Sequence, residues 1–323
     1  MHVLYDTSKV HPLDRYDYYR AGAGIELAPV AVHGHAPGRL LAAMSIARIG
    51  DFEIEALSWS EDSEIRARRT ERLIRVCDPG CYRMFLSVGG DVRMEQAGNQ
   101  VDFRARDLAL YDLSRPWRAT HATGSMRVVM LTFPRASVPI ASDTLRPLMG
   151  ALMPRRLPGR DLVAQFLIGL TDTTELATDP GLADVLYECT VGLIRQRLGQ
   201  PNGITPRTRR LLYVARIRDV IRRHLGDPRL DLDRIAAAAH ISPRYLNQIF
   251  QDAELTPMRL VKRLRLEECY RSLQDSTLAM KPIKDIIAAH GYVRSDQFAR
   301  DFKQQFGASA TQVRRLTSQR LLT

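Results

Sequence analysis

Cysteine is scarce in these 323 residues, with four, at Cys77, Cys81, Cys189 and Cys269. Thiols so few and scattered cannot staple a fold of this length. Cys77 and Cys81 have no second pair downstream, which excludes a zinc ribbon and points to reduced thiols. No apolar run approaches the length needed to span a bilayer. The opening Met1-His-Val-Leu-Tyr-Asp6 lacks the basic-then-apolar layout of a secretion signal. The expectation is a soluble, cytoplasmic protein without a membrane partner. No phosphate-cradling loop is present, because Gly89-Gly90 reads as a hairpin turn. Ser87, Ser114 and Cys81 lack a glycine-flanked elbow or any local activating pattern. His33 and His35 form a His-Gly-His triplet, but no Glu or later His follows at metal-binding spacing, and His121 stands alone. These absences point away from a nucleophilic or metal-dependent enzyme, and neither a metal nor a cofactor is expected.

Acidic charge is also short, and only in one part of the chain. Lys and Arg number 47 against 36 Asp and Glu, a net of +11. Residues 201–323 hold 23 basic and 12 acidic side chains, so the whole excess lies there, and residues 1–200 are neutral. A general preference for arginine would explain the choice of Arg over Lys but not this segregation. A length of 323 residues suits two domains. The charge split suggests that one of them meets phosphate and the other does something else.

The first half alternates in short bursts. Phe52, Ile54 and Ala56 fall on one face with Glu53 and Glu55 on the other. Tyr82, Met84, Leu86 and Val88 alternate with Arg83 and Ser87, and Val101 and Phe103 with Asp102 and Arg104. Arg127–Phe133 reads as a more fully buried strand. Turn chemistry separates the bursts at Gly50-Asp51, Asp78-Pro79-Gly80, Gly89-Gly90-Asp91, Ala97-Gly98-Asn99 and Arg106-Asp107. Short strands with frequent turns predict an all-β antiparallel sandwich or barrel over about 50–134. Such a barrel can hold one small molecule. Strand parity makes Tyr82, Met84, Trp117 and Val129 inward candidates for contacting it, with Arg72 or Arg75 available for an anion; the plainer reading makes them barrel core. Helical spacing takes over across 142–198. Leu162, Val163, Phe166, Leu167 and Leu170 form one apolar stripe, and Leu182, Val185, Leu186, Cys189 and Leu193 another. Either they cover the barrel or they join two subunits as a homodimer. Gly199–Pro206 breaks the pattern and reads as a linker between a domain over 1–198 and another over 207–323.

The second half reads as all-α. A helix is expected over about Arg207–His224, with Ile217, Val220, Ile221 and Leu225 inward, stopped by Gly226-Asp227-Pro228. Two helix-turn-helix patterns follow, at about 232–251 and 283–304. In the first, Ile235, Ala236 and Ala239 pack inward, Ser242 caps, Pro243 opens the next helix, and Leu246, Ile249 and Phe250 face the core. Arg244, Asn247, Gln248 and Gln251 are left on the open side. Arg suits guanine O6 and N7, and Asn and Gln suit adenine N6 and N7. Thr256-Pro257 caps a connecting helix to about Leu273. In the second motif Phe298 and Phe302 anchor the core, and Ser295, Asp296, Ala299 and Arg300 lie on the open side. Ser242, Lys262, Arg263, Arg294 and Lys303 are candidates for phosphate. Two reading helices on one body enter successive major grooves of duplex DNA if they stand about 34 Å apart.

At this point the chain resembles a known family. Residues 207–315 are similar to the AraC/XylS-type transcriptional regulators through Ile241-Ser242, Tyr245-Leu246, Phe250, Thr256-Pro257, Arg265-Leu266, Ile283, Ile286, Gly291-Tyr292, Phe298, Arg300, Phe302-Lys303, Phe306-Gly307 and Arg314. Residues 69–134 more loosely resemble that family's cupin-like sensor region, through Arg69-Thr70, Gly90, Gln96-Ala-Gly98, Asp107-Leu108, Tyr111-Asp112 and Ser114-Arg115-Pro116. The resemblance implies a barrel that binds a small-molecule effector, a C-terminal domain that binds promoter DNA, and activation through contact with RNA polymerase.

Four positions depart from the family pattern. His240 stands where the first motif has Gly, and histidine tolerates left-handed backbone. Ile287 replaces a small Ala, which is expected to push two helices apart. Arg294 replaces a capping residue, so Ser295 is expected to take the cap, and Ala310 replaces a Pro. Competing readings are a metal-independent enzyme that the basic domain localises, and a non-specific architectural DNA binder. The first lacks a reactive constellation. The second needs diffuse charge and wedge residues rather than polar readers on one helix face.

Overall fold

A computed structural model describes residues 1–23, 28–34, 40–61, 65–121, 124–172, 181–251 and 256–320. His35 lies outside them. The chain divides by contacts into Met1–Leu212 and Tyr213–Thr323.

The first unit is built on eleven strands: β1 (His2–Asp6), β2 (Ala31–Gly34), β3 (Leu41–Ile49), β4 (Phe52–Glu61), β5 (Ile65–Arg69), β6 (Cys81–Gly89), β7 (Val92–Gln96), β8 (Asn99–Phe103), β9 (Leu108–Asp112), β10 (Trp117–His121) and β11 (Gly124–Pro134). They form two antiparallel sheets, ordered β1-β3-β4-β11-β6-β9 and β2-β5-β10-β7-β8. Helix α1 (Arg15–Ala23) follows β1, and the one-turn α2 (Glu71–Val76) is capped by Thr70, whose hydroxyl accepts from the Leu73 amide. After the strands come α3 (Ser142–Leu145), α4 (Arg160–Thr171) and α5 (Leu182–Arg197). This is a cupin-like barrel followed by helices, as the alternation and the resemblance together led one to expect. Three strands and α1 precede residue 50, however, so the barrel begins well before the expected boundary. β3, Leu-Ala-Ala-Met-Ser-Ile-Ala-Arg-Ile, is rich in helix formers, and its strand conformation is imposed by pairing with β1 and β4.

The inter-sheet core decides which strand face is inside. Phe85, Ala109, Tyr111, Val128 and Met130 of the larger sheet pack with Ile65, Val92, Met94 and Phe103 of the smaller one. Tyr82, Met84, Leu86, Val129, Leu131 and Phe133 therefore point the other way, because successive side chains alternate. That outer face is also buried, and α4 packs on β4 and β11. The α4 stripe accordingly covers the barrel, with Leu162, Val163, Leu167 and Leu170 buried and Phe166 half-buried; of the α5 stripe Leu186, Cys189 and Leu193 are buried, whereas Leu182 and Val185 are half-buried.

The 199–206 segment is anchored rather than free. Ile204 is buried, and a Cβ at Gly192 would come within 2.9 Å of the Ile204 amide nitrogen. Thr205 donates to Glu188 at 2.8 Å, and Thr208 also reaches that carboxylate. The contact division falls later, between Leu212 and Tyr213, within α6 (Pro206–Arg223).

The second unit is all-α: the remainder of α6, then α7 (Leu232–Ala238), α8 (Pro243–Phe250), α9 (Pro257–Gln274), α10 (Ile283–Ala289), α11 (Ser295–Phe306) and α12 (Ala310–Arg320). Two cores share α9. Leu260, Val261 and Leu264 pack with α6, α7 and α8, whereas Leu266, Cys269 and Leu273 pack with Ile286, Ile287, Phe298, Phe302 and Val313. Ile287 is fully enclosed. Ala310, the position lacking the family's Pro, begins a helix closed by a capping box: the Gln312 amide donates to Ser309 Oγ at 3.2 Å, and the Ser309 amide to Gln312 Oε1 at 2.8 Å.

Candidate nucleic-acid interface and barrel interior

The turns that aim the two reading helices are the same device. After α7, the Ile241 amide donates to Ala236 O and the His240 amide to Ala237 O, both at 3.0 Å. After α10, Tyr292 donates to Ile287 O and Gly291 to Ala288 O, again at 3.0 Å. This six-to-one and five-to-two pairing is a Schellman cap, whose penultimate residue must be left-handed. His240 has φ +51° and Gly291 φ +79°. Histidine is admitted at the first turn because it is exposed there. A Cβ at Gly291 would lie 2.4 Å from Leu225 O and 2.7 Å from an Arg265 guanidinium nitrogen. Arg265 in turn donates to Leu225 O at 3.0 Å and Asp227 O at 2.6 Å, so it clamps the end of α6 to α9 beside the second turn.

The first reading helix, α8, is capped by Ser242, whose hydroxyl accepts from the Tyr245 amide at 3.1 Å. Leu246, Ile249 and Phe250 are buried, and Arg244, Asn247, Gln248 and Gln251 are exposed. Among the described residues, no side-chain hydrogen bond or ion pair engages Arg244, Asn247 or Gln248. Their donors and acceptors therefore stay open to an outside partner.

The second reading helix, α11, is different. Ser295, Asp296, Ala299 and Arg300 are exposed, and Phe298 and Phe302 are buried. The N-cap is Arg294, which makes no side-chain capping bond; Ser295 lies one residue inside the helix, so the expected Ser295 cap does not form. Arg294 instead grips Asp296 with two bonds, at 3.2 and 2.9 Å, and Arg300 reaches the same carboxylate at 3.5 Å. The Arg294 hydrogen bond, acting foremost, holds the Asp296 pKa below the usual carboxylate range. Of the phosphate candidates, Lys262 is tied to Asp301 at 2.6 Å and Arg263 to Glu267 at 3.4 Å, whereas Lys303 is exposed.

Inside the barrel the parity expectation needs correcting. Tyr82, Met84 and Val129 lie on the helix-covered outer face; the Tyr82 ring is tilted against Phe133 and its hydroxyl meets Ser142 at 3.5 Å. Arg72 and Arg75 are exposed on α2, and Arg75 faces Glu71. Of the six candidates, Trp117 packs against the inter-sheet core. The residues that alternation set against the apolar face are the ones turned inward. Arg83 donates to Glu55 at 2.5 Å and to Thr132 at 2.9 Å, and its third nitrogen lies 3.5 Å from Met130 Sδ. Glu55 and Arg83 are 1% and 6% exposed. Burial pushes the Glu55 pKa up while Arg83 opposes the shift. Alternation marked these strands as half-buried. It could not say that helices would cover the apolar side and leave the charged side facing the other sheet.

Much of the quoted sensor motif is scaffolding. Arg69, 1% exposed, donates to the carbonyls of Leu113, Pro29 and Cys77. Gln96 closes a two-way bond with the backbone of Asp112, and Asp107 is held by Arg155 at 2.9 Å. His33 is exposed on β2, whereas His121 is buried with its ring nitrogens on Asp91 O and Gly124 O. No group of three or more His, Cys, Asp or Glu among the described residues is arranged to hold a metal. None of the described helices is long and apolar enough to cross a membrane.

A sensor-type barrel joined to two helices, each following a Schellman turn and exposing a polar side, defines a DNA-binding regulator. The comparisons agree. The model of the AraC-binding-like domain matches residues 23–199, more than half of the chain, and a helix-turn-helix domain model matches residues 235–316. The chain belongs to the AraC family of transcriptional regulators. It is 25% identical over 241 residues to the transcriptional activator NphR of Rhodococcus sp, covering 71% of this chain and 68% of that one. It is 28% identical over 146 residues to the probable thc operon regulatory protein of Rhodococcus erythropolis, covering 42% of each. The crystal structure of the AraC-like transcriptional activator CuxR aligns with a TM-score of 0.43 at 16% identity, over 80% of this chain and 92% of that one.

Proposed function

We propose that this protein is a non-enzymatic, cytoplasmic transcriptional activator that binds promoter DNA through α8 and α11, answers to a small molecule held between its two sheets, and contacts RNA polymerase when bound. The observation that carries the reading is the pair of matched Schellman turns, each presenting a recognition helix with a buried apolar side and an exposed polar side. We assign base reading first to Arg244, Asn247, Gln248 and Gln251, whose helix keeps its readers unengaged. Ser295, Asp296, Ala299 and Arg300 of α11 form the second contact. There Asp296 ties down Arg300, so α11 contributes less base discrimination than α8. Ser242, Lys262, Arg263, Arg294 and Lys303 are assigned to the phosphate backbone. We also propose a homodimer through the helices of the N-terminal half, on the outward side of α5 that carries exposed Tyr187.

The test is footprinting and fluorescence anisotropy with the full chain on its own upstream DNA. A site spanning two successive major grooves, with a log–log salt slope of about −0.9 per phosphate neutralised, is expected. Equal affinity for that DNA and for random duplex would overturn the regulator reading in favour of an architectural binder.

A further inference from the structure

The inner face of the larger sheet carries a polar site that the packing of the chain leaves incomplete. Tyr111 of β9 stands directly opposite Arg83 of β6, which stands opposite Thr132 of β11. One register row away, Met130 stands opposite Glu55 of β4. Tyr111 is 1% exposed, packed edge-on against Phe85 and near Phe103 in the inter-sheet core. Its hydroxyl has no hydrogen-bond partner; one oxygen of Glu55 takes Arg83 and Thr132, while Oε2 has no donor and the Glu53 carboxyl is the remaining acid beside that carboxylate. On the smaller sheet, the indole N–H of Trp117, which packs against the same core, is likewise unsatisfied. Trp117 also lines an open groove of about 520 Å³ that runs along the Gln96–Gln100 hairpin. Buried polar atoms are almost always paired, because each orphan forfeits its hydration. The orphans of this core, which also include the Trp59 indole N–H on β4, point to a guest that pairs Glu55, Tyr111 and Trp117.

The chemistry of the orphans narrows the guest. Glu55 Oε2 calls for a donor. The indole N–H can only donate, and the phenol does so readily, so they call for an acceptor. A hydroxyl supplies both roles from one atom. An ammonium group offers no acceptor. A carboxylate would face Glu53 and Glu55, with Arg83 already committed to Glu55 and Thr132. The rest of the wall is apolar and soft: Met44, Met94, Met126 and Met130 are all buried in this core, and unbranched thioethers repack around a guest more easily than branched side chains do.

We propose that the barrel binds a small uncharged molecule with an apolar body and a hydroxyl group, admitted beside Trp117 and held by Glu55 and Tyr111. This rests on the reading of the barrel as the effector domain.

The test is titration calorimetry of the full-length protein with four probes that share one aromatic body: benzyl alcohol, toluene, benzylamine and benzoate. Benzyl alcohol is expected to bind most tightly. Tyr111→Phe is expected to weaken it about tenfold while leaving toluene unchanged, a loss in the range of one hydrogen bond. The same variant should unfold at a higher temperature than wild type, because it deletes an unpaired buried hydroxyl; a purely structural tyrosine would give the opposite shift. Glu55→Gln should also weaken the alcohol. Tighter binding of benzoate or benzylamine, no binding of benzyl alcohol, or unchanged binding by Tyr111→Phe would overturn the proposal. Anisotropy on duplex DNA, run in parallel, reports the regulator reading separately: its loss with alcohol binding intact would fail that reading alone.

Discussion

Exchanging the residues of the two Schellman turns should give effects of opposite sign. Consider Gly291→Ala. Left-handed backbone costs an L-residue about 1–2 kcal/mol. The new Cβ would sit 2.4 Å from Leu225 O, a carbonyl that Arg265 already fixes, so the turn must move or the clamp must open. Overpacking of this kind costs about 1–3 kcal/mol. The lower entropy of the unfolded Ala chain returns only about 0.4–1 kcal/mol. The net loss is about 2–4 kcal/mol, which for a unit of this size lowers Tm by on the order of 10–20 °C. His240→Gly removes the same strain where the site is exposed. Its gain is partly offset by glycine's greater chain entropy, leaving about 0–1 kcal/mol of stabilisation. Both can be read in the full-length protein by thermal unfolding of the helical circular dichroism signal. Gly291→Ala should also weaken DNA binding well below its Tm, because α11 is aimed by this turn. A Gly291→Ala protein as stable as wild type, or a His240→Gly protein less stable by more than about 1 kcal/mol, would refute the argument from turn geometry.

Other outcomes follow from the same contacts. Arg244→Ala should cost about 1–3 kcal/mol of DNA affinity and relax preference at one base pair in a binding-site selection; a uniform loss on all sequences would mean that Arg244 touches only phosphate. Asp296→Asn frees Arg294 and Arg300, so affinity for random duplex should rise and the salt slope should steepen by about one phosphate; an unchanged slope would remove α11 from the backbone contact. Arg265→Ala strips a charged donor from two carbonyls and should destabilise by about 3 kcal/mol in chemical denaturation. His290, half-buried and bonded to Ser272, has its pKa lowered chiefly by burial. The folded state therefore binds fewer protons than the unfolded one, and stability should fall as pH drops below about 6.5. His290→Asn should flatten that dependence in Tm measurements at pH 7.5 and 5.5.

The helices were more legible than the strands. Ser242-Pro243 and Thr256-Pro257 announced the starts of α8 and α9 because capping chemistry is local. The exposure of Arg244, Asn247, Gln248 and Gln251 on α8 followed from helical spacing alone. His240 was legible too, as a non-glycine residue in a left-handed turn. The Arg294–Asp296–Arg300 cluster was not foreseen, though spacings of two and four residues on an exposed helix start were its available signal. The barrel interior was misjudged for a different reason. Alternation in Tyr82–Ser87 is real, but it carries no label for which side meets the second sheet. Only the position of α4, far along the chain, decides that the apolar side faces helices and that Glu55 and Arg83 face inward. β3 was hidden by its alanines and methionine, whose strand conformation depends on partners at both edges.

The two recognition helices are alike in placement and unlike in what they offer, one showing Arg, Asn and Gln, the other an acid pinned between two bases. A protomer so built has a front and a back when it lies along a duplex. On the base-reading roles proposed above, turning it end for end would present α8 to the sequence meant for α11. Each bound chain therefore marks an orientation on the promoter as well as a location, and a binding site copied in reverse should not substitute for the original.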